Sequence, residues 1–345
     1  MAERDHYGRL RSFEAKEIRS LTWRGDELVD WVGGGTRLSL EGERRRAFVF
    51  YAYRFDTAIA TPDGEWAILY ERHGTKALLV REGAFVRELN RSYYFASSYD
   101  FPICLWRDAD GRALVGHCPE EYNRIEIEDA QTGARLTAGE REPADFFHSR
   151  LQVSPDGKRM LTAGWVWHPF DAVGAFDLEE ALRDPTHLDS PEEVTPPSAR
   201  VGLAEESSAC WASATTVLVG GTAKREDRET AAEPPEPGLH RQGLAQVDLS
   251  TRAVVAFVRL PFPTGAMMAV GSDRALCLFE HPRLVSLETG EVLAAWPELS
   301  TGAQTSSISS HLPPPPPMAL DRIGRRLAVA DGERVHVLSL GECAD

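Results

Sequence analysis

The sequence predicts an all-β protein, a seven-bladed β-propeller built of four-stranded antiparallel blades. Three observations carry that prediction. Helical periodicity is scarce, and short apolar runs alternate with Gly, Pro, Asp and Ser turns, which is the strand pattern. A polar turn recurs seven times, as Arg24-Gly25-Asp26, Pro62-Asp63-Gly64, Ala109-Asp110-Gly111, Pro155-Asp156-Gly157, Ala212-Ser213-Ala214, Gly271-Ser272-Asp273 and Arg322-Ile323-Gly324. Gly25 to Gly324 spans 299 residues in six steps, and about 50 residues per step is the spacing of propeller blades.

A second turn repeats inside the unit. Residues 127–136, 246–255 and 284–293 each read as strand, tight polar turn and strand, with Thr132-Gly133, Thr251-Arg252 and Thr289-Gly290 at the bend. Glycine suits such hairpins because they require positive φ. The two turns join four strands, a to d from the axis outward. Units of this kind must bury their faces against one another, and a closed ring does so with few exposed edges. The last copy supplies three strands, near Met318–Leu320, Arg326–Ala330 and Arg334–Leu340. Its outer strand is expected from the N-terminus, around Leu10 to Ala15. Residues 1–345 read as one propeller domain with flexible insertions at about 184–200, 222–241 and 300–317.

Thr61-Pro62-Asp63-Gly64 and Ser154-Pro155-Asp156-Gly157 resemble the a–b turn of the WD40/YVTN-like β-propeller repeat proteins. Phe176-Asp177 and Val247-Asp248 stand near the place of the Trp-Asp dipeptide, which is itself absent. The resemblance covers nearly all of the chain. It implies a rigid platform, most often for protein partners, and no particular chemistry.

Charge narrows the partners. The 345 residues hold 38 Lys and Arg against 53 Asp and Glu, a net charge of −15. That surplus argues against nucleic acid and anionic membrane, which demand basic surface. No run approaches the roughly 18 apolar residues of a membrane span, and Met1 to Lys16 shows no apolar leader. The five cysteines, Cys104, Cys118, Cys210, Cys277 and Cys343, form no C-x-x-C pair and read as buried reduced thiols. A cytoplasmic location is the expectation. No zinc-protease, Walker A, dinucleotide, nucleophile-elbow or kinase motif occurs, so no catalytic residue, cofactor or metal is assigned. His148 and His168 with Asp145 or Asp171 could in principle hold a metal or do acid–base work; they read as ordinary rim residues. Arg44-Arg45-Arg46 reads as a solvated outer strand.

Strand order places the b–c and d–a loops on one face and the a–b and c–d turns on the other. The first face collects aromatic residues: Tyr51 and Tyr53, then Tyr93 to Phe101, Phe146 to His148, and Trp165 to Phe170, with Glu120, Glu121 and Tyr122 beside them. Aromatics fringed by a few charges are the composition of interface anchors. The competing reading buries them in the seams between blades. The candidate partner-binding residues are Tyr93, Tyr94, Tyr99, Phe146, Phe147, His148, Trp165, Trp167, His168 and Phe170. The expected function is a non-catalytic scaffold that binds another protein through this face. The alternatives are a hydrolase or lyase with a metal-assisted site at the channel mouth, and a sensor or inhibitor governed by the charged 222–241 loop. Asp177 to Arg183 reads as a short helix stopped at Asp184-Pro185, Ser300 to Ser310 as a mobile polar stretch, and Pro313 to Pro317 as a stiff spacer.

Overall fold

A computed structural model of the chain describes residues 6–47, 49–167, 170–194, 206–222 and 242–341. The strands form seven antiparallel sheets in a ring, a seven-bladed β-propeller. From the axis outward, blade 1 is Thr22–Arg24, Glu27–Asp30, Thr36–Leu38 and Arg44–Arg45, and blade 2 is Thr57–Ala60, Trp66–Tyr70, Lys76–Arg81 and Ala84–Asn90. Blade 3 is Ile103–Arg107, Ala113–His117 and Glu126–Asp129; blade 4 is Gln152–Val153, Arg159–Val166, Phe170–Asp177 and Glu192–Glu193. Blade 5 is Glu206–Trp211, Thr216–Thr222, Gly243–Asp248 and Ala253–Arg259, and blade 6 is Met267–Val270, Arg274–Cys277, Arg283–Ser286 and Val292–Ala295. Blade 7 is Met318–Asp321, Arg326–Ala330, Arg334–Leu340 and, outermost, the N-terminal strand Gly8–Glu14.

That last pairing closes the ring as expected. It runs antiparallel from Gly8 against Leu340 to Glu14 against Arg334. Phe13, Leu10 and Tyr7 from the N-terminal segment pack on the apolar clusters on either side of blade 7.

Each of the seven seams between neighbouring blades holds its own hydrophobic cluster. Strand alternation sorts side chains between seams. In blade 6, Ala275 and Cys277 face blade 5 while Leu276 faces blade 7. Both faces of the inner strands are therefore buried, which is why they read as nearly continuous apolar runs. Cys104, Cys118, Cys210 and Cys277 are free and buried. Burial pushes the thiols of Cys104, Cys210 and Cys277 up to about 12, so they act as small apolar side chains. Cys343 lies outside the described residues.

The recurring turns have a shared physical basis. In blade 4 the Ser154 hydroxyl donates to Asp156 at 2.6 Å and accepts the Arg159 N–H at 2.9 Å. Thr61 and Asp63 repeat the arrangement in blade 2, with Trp66 as the N–H donor at 3.1 Å. Gly64 and Gly157 follow at φ +63° and +75°, where a Cβ is strained. At the outer turns, Gly133 and Gly290 take φ +74° and +76°, and Arg252 occupies the same left-handed position at +53°.

Two elements differ from the expectation. Blade 3 has three strands, its fourth reduced to one bridge between Glu128 and Arg135. The acids along its outer strand take charged partners instead. Glu126 accepts from Arg124 and Thr137, both at 2.7 Å, and Glu128 pairs with Arg87 at 2.8 Å. Burial alone would raise the Glu128 pKa, but His117 and Arg87 outweigh it and bring it to about 2. Charges on an outer strand oppose further strand pairing. The second difference is the 296–317 connection, described below. The short helix is present as Leu178–Arg183, capped by Asp177, whose carboxylate accepts the Glu180 N–H at 3.0 Å.

Candidate functional site

The connection from blade 2 to blade 3, residues 91–102, carries the first aromatic group and is organised by one buried cation. Arg91 donates from Nε to the Gly74 carbonyl at 2.7 Å, and from its two Nη atoms to the carbonyls of Asp100, Tyr99 and Ala96. Its guanidinium also lies 4.8 Å from the Tyr99 ring centroid and 5.0 Å from that of Phe101. Burial depresses its pKa, with Tyr99 and Asp100 opposing. An apolar residue here would strand several buried acceptors. Arg91→Met is expected to cost about 2–3 kcal/mol, measured by urea unfolding; a loss below about 0.5 kcal/mol would show that the loop does not depend on this cation.

The loop so held brings Tyr94, Phe95 and Tyr99 against rings from the next two blades. Phe147 stacks on Trp165 at 3.7 Å between centroids, and Tyr122 stacks on Phe147 at 4.2 Å. Tyr94 continues the pile against Tyr122 at 5.0 Å. Phe95 and Trp167 meet edge-on at 5.3 Å, and both stand edge-on to Trp165 and Phe147. Tyr99 closes the inner side, edge-on to Phe147 and Trp165. Tyr99, Phe147 and Trp165 form an eighth hydrophobic cluster, separate from the seven seams, with Tyr122 and Ile308 packed against it. Phe147 and Trp165 also exchange backbone hydrogen bonds at 2.9 and 3.1 Å. That approach requires Gly164, where a Cβ would lie 1.9 Å from the Phe147 carbonyl oxygen.

The predicted rim residues thus divide into two groups. Tyr99, Phe146, Phe147, His148 and Trp165 are buried; Tyr99, Phe147 and Trp165 form the base of the patch, whereas Phe146 stacks on His148, which meets Phe176 in the seam between blades 3 and 4. Tyr93, Tyr94 and Trp167 are exposed, at 83, 46 and 41%. Phe170 is half-buried at the start of its strand, and His168 lies outside the described residues. Trp165 belongs to a strand rather than to the b–c loop, because strand Arg159–Val166 extends farther than its turn residues suggest. Phe95, missing from the candidate set, is 41% exposed with φ +52°. A bulky residue in that conformation is costly, and a turn with the Ser98 N–H donating to the Phe95 carbonyl at 2.8 Å holds it. The patch borders on acids: Glu120, Glu121 and Asp145 are exposed, and Asp145 accepts the Tyr122 hydroxyl at 2.7 Å. Burial and that acid push the Tyr122 phenol up to about 12.

The imagined pairing of His148 with Asp145 or Asp171 does not form. His148 is buried, with its ring nitrogens 3.2 Å from the Asn123 carbonyl and 3.3 Å from the Thr162 hydroxyl. Burial, aided by Arg141, drops its pKa to about 3, so the ring stays neutral at ordinary pH. Asp171 serves a different structure. The 296–317 connection crosses the loop face as a strap instead of running directly to blade 7. Asp171 accepts from the Ser307 hydroxyl at 2.6 Å and the Ser306 hydroxyl at 3.1 Å. Ile308 bridges to Tyr99, the Ser309 N–H donates to the Ser98 carbonyl at 3.1 Å, and the Ser208 hydroxyl donates to the Thr305 carbonyl at 3.3 Å. The stretch that reads as mobile therefore has Thr301, Thr305, Ser307 and Ser309 buried. Its hydroxyls are matched to acceptors on distant blades, and local composition carries no trace of that. Ser309, His73 and Asp100 also meet here, but the serine and the carboxylate both face Nε2 of His73, at 3.0 and 3.4 Å. A proton relay uses opposite ring nitrogens, so this trio lacks relay geometry. Among the described residues, no three His, Cys, Asp or Glu side chains converge as a metal site.

The chain matches no protein-family model and no curated protein. Among the described residues no helix is long and apolar enough to cross a membrane.

Proposed function

We propose that this propeller is a non-catalytic scaffold that binds another protein through the loop face of blades 2 to 4. The observation that carries the reading is the exposure of Tyr93, Tyr94, Phe95 and Trp167 on a buried, stacked base. Rigid aromatic rings offer large contact area at low entropic cost, and such residues dominate binding energy at protein interfaces. The acids at the border favour a partner with basic groups around an apolar centre, and association should slow as salt rises.

Site-specific photocrosslinking in the native host tests this. A photoreactive phenylalanine analogue at Tyr93 or Trp167 is expected to yield one discrete protein adduct. The same analogue at Phe85, exposed on the outer strand of blade 2, should yield none. Equal labelling at all three positions, or no adduct at the rim, would remove the basis of the proposal.

A further inference from the structure

A cavity of about 550 Å³ opens on the loop face between blades 1 and 2. Its walls come mainly from residues 17–19 on the way into blade 1, the 32–34 turn inside that blade, and residues 44–55 on the way to blade 2. It shares no residue with the exposed rings Tyr93, Tyr94, Phe95 and Trp167. Its volume is in the range of small-molecule sites.

One buried carboxylate fixes two of these walls. Asp30 accepts the Arg19 N–H at 3.1 Å, the Ser20 N–H at 2.9 Å, the Ser20 hydroxyl at 3.0 Å and the Gly33 N–H at 2.8 Å. The third wall lies directly on the second. A Cβ on Gly34 would meet the Val49 carbonyl oxygen at 2.6 Å, so the close approach requires glycine.

The cavity reverses the sign of the protein locally. Arg19, Arg44 and Arg46 line it against one acid, Glu17, in a chain of net charge −15. Among the described residues none of the three arginines forms an ion pair. Arg19 donates from Nη to the Phe55 carbonyl at 2.9 Å, and Arg44 from Nη to the Lys16 carbonyl at 3.3 Å. Arg45, between Arg44 and Arg46, is the one that reaches an acid, Glu27 at 4.0 Å. Glu88 stands behind the wall, where it accepts the Tyr53 hydroxyl at 2.9 Å and is offset by Lys76 at 3.9 Å. Three guanidiniums against one carboxylate favour a dianion over a monoanion, and the guanidinium fork suits phosphate. Phe50, almost fully exposed, and Tyr53 share the wall with the arginines, and such rings receive planar apolar groups.

We propose that this cavity binds a small phosphate monoester that carries a planar ring, with the phosphate among Arg19, Arg44 and Arg46 and the ring against Phe50 and Tyr53.

Calorimetric titration at pH 8 and low salt, where the phosphate is a dianion, tests the proposal with phenyl phosphate, phenyl sulfate and inorganic phosphate. Saturable one-to-one binding of phenyl phosphate is expected, at least about tenfold tighter than either of the others. The sulfate has the same shape with one charge fewer, and inorganic phosphate lacks the ring. Arg44 and Arg46 are exposed, so Arg44→Gln together with Arg46→Gln should weaken phenyl phosphate at least about tenfold at an unchanged melting temperature. Phe50→Ser should weaken phenyl phosphate and leave inorganic phosphate as it was. Should the double variant fail to fold, the three-probe comparison and Phe50→Ser decide the matter. A phosphotyrosyl pentapeptide should bind no tighter than phenyl phosphate; tighter binding would make the ligand a protein segment and overturn the small-molecule assignment. No saturation by phenyl phosphate, equal affinity for phenyl sulfate, or parental affinity in the double arginine variant would overturn the proposal as a whole.

Discussion

Removing residues 1–16 is expected to prevent folding, or at the least to lower the melting temperature by several degrees. The strand Gly8–Glu14 makes the whole outer ladder of blade 7. Tyr7, Leu10 and Phe13 pack into the clusters on both sides of that blade. At about 1.5 kcal/mol for each side chain, their loss approaches the lower end of the ~5–15 kcal/mol by which domains are stable at all. The deletion also exposes the edge of Arg334–Leu340, a strand with Val335, Val337 and Leu338 buried in the intact ring. A long apolar edge invites pairing between chains, so aggregation should accompany the loss of stability. Scanning fluorimetry and size-exclusion chromatography read both effects. A truncated chain that stays monomeric with the parental melting curve would refute the clasp.

The ring was legible because its signals are local and repeated. Turn glycines with positive φ, such as Gly64, Gly133 and Gly157, and inner strands buried on both faces leave marks in any single copy. Seven copies then fix the count. The N-terminal partner of the last blade followed by elimination, since three strands need a fourth. The missing outer strand of blade 3 was not legible. Nothing near Arg135 signals that Glu126 and Glu128 would meet Arg124, Thr137 and Arg87 rather than a strand.

The site was legible in composition but not in depth. The sequence places aromatics on one face, yet whether a ring is base or anchor depends on neighbours far along the chain. Phe147 is covered by Trp165, Tyr122 and Tyr99, while Tyr93 in the preceding loop faces solvent. The order of the strap is hidden from the sequence for the same reason. Serine-rich composition signals mobility only when its hydroxyls have water as their alternative. Here Asp171 accepts from Ser306 and Ser307 across 135 residues or more of sequence.

Phe147→Ala should separate the base from the anchors. The ring is fully buried, stacked between Trp165 and Tyr122, and its removal leaves a hole that backbone pairing with Trp165 prevents from closing. The cost should be about 3–5 kcal/mol, read from the urea midpoint at constant slope. Trp167→Ala removes a ring that is 41% exposed and only edge-on to its neighbours. That change should cost about 1 kcal/mol or less. The ranking for partner binding should be the reverse at matched folded fraction, because Trp167 presents the contact surface and Phe147 only supports it. Near-equal stability losses for the two variants would mean that the stack is no foundation, and the division of the rim into base and anchors would have to be abandoned.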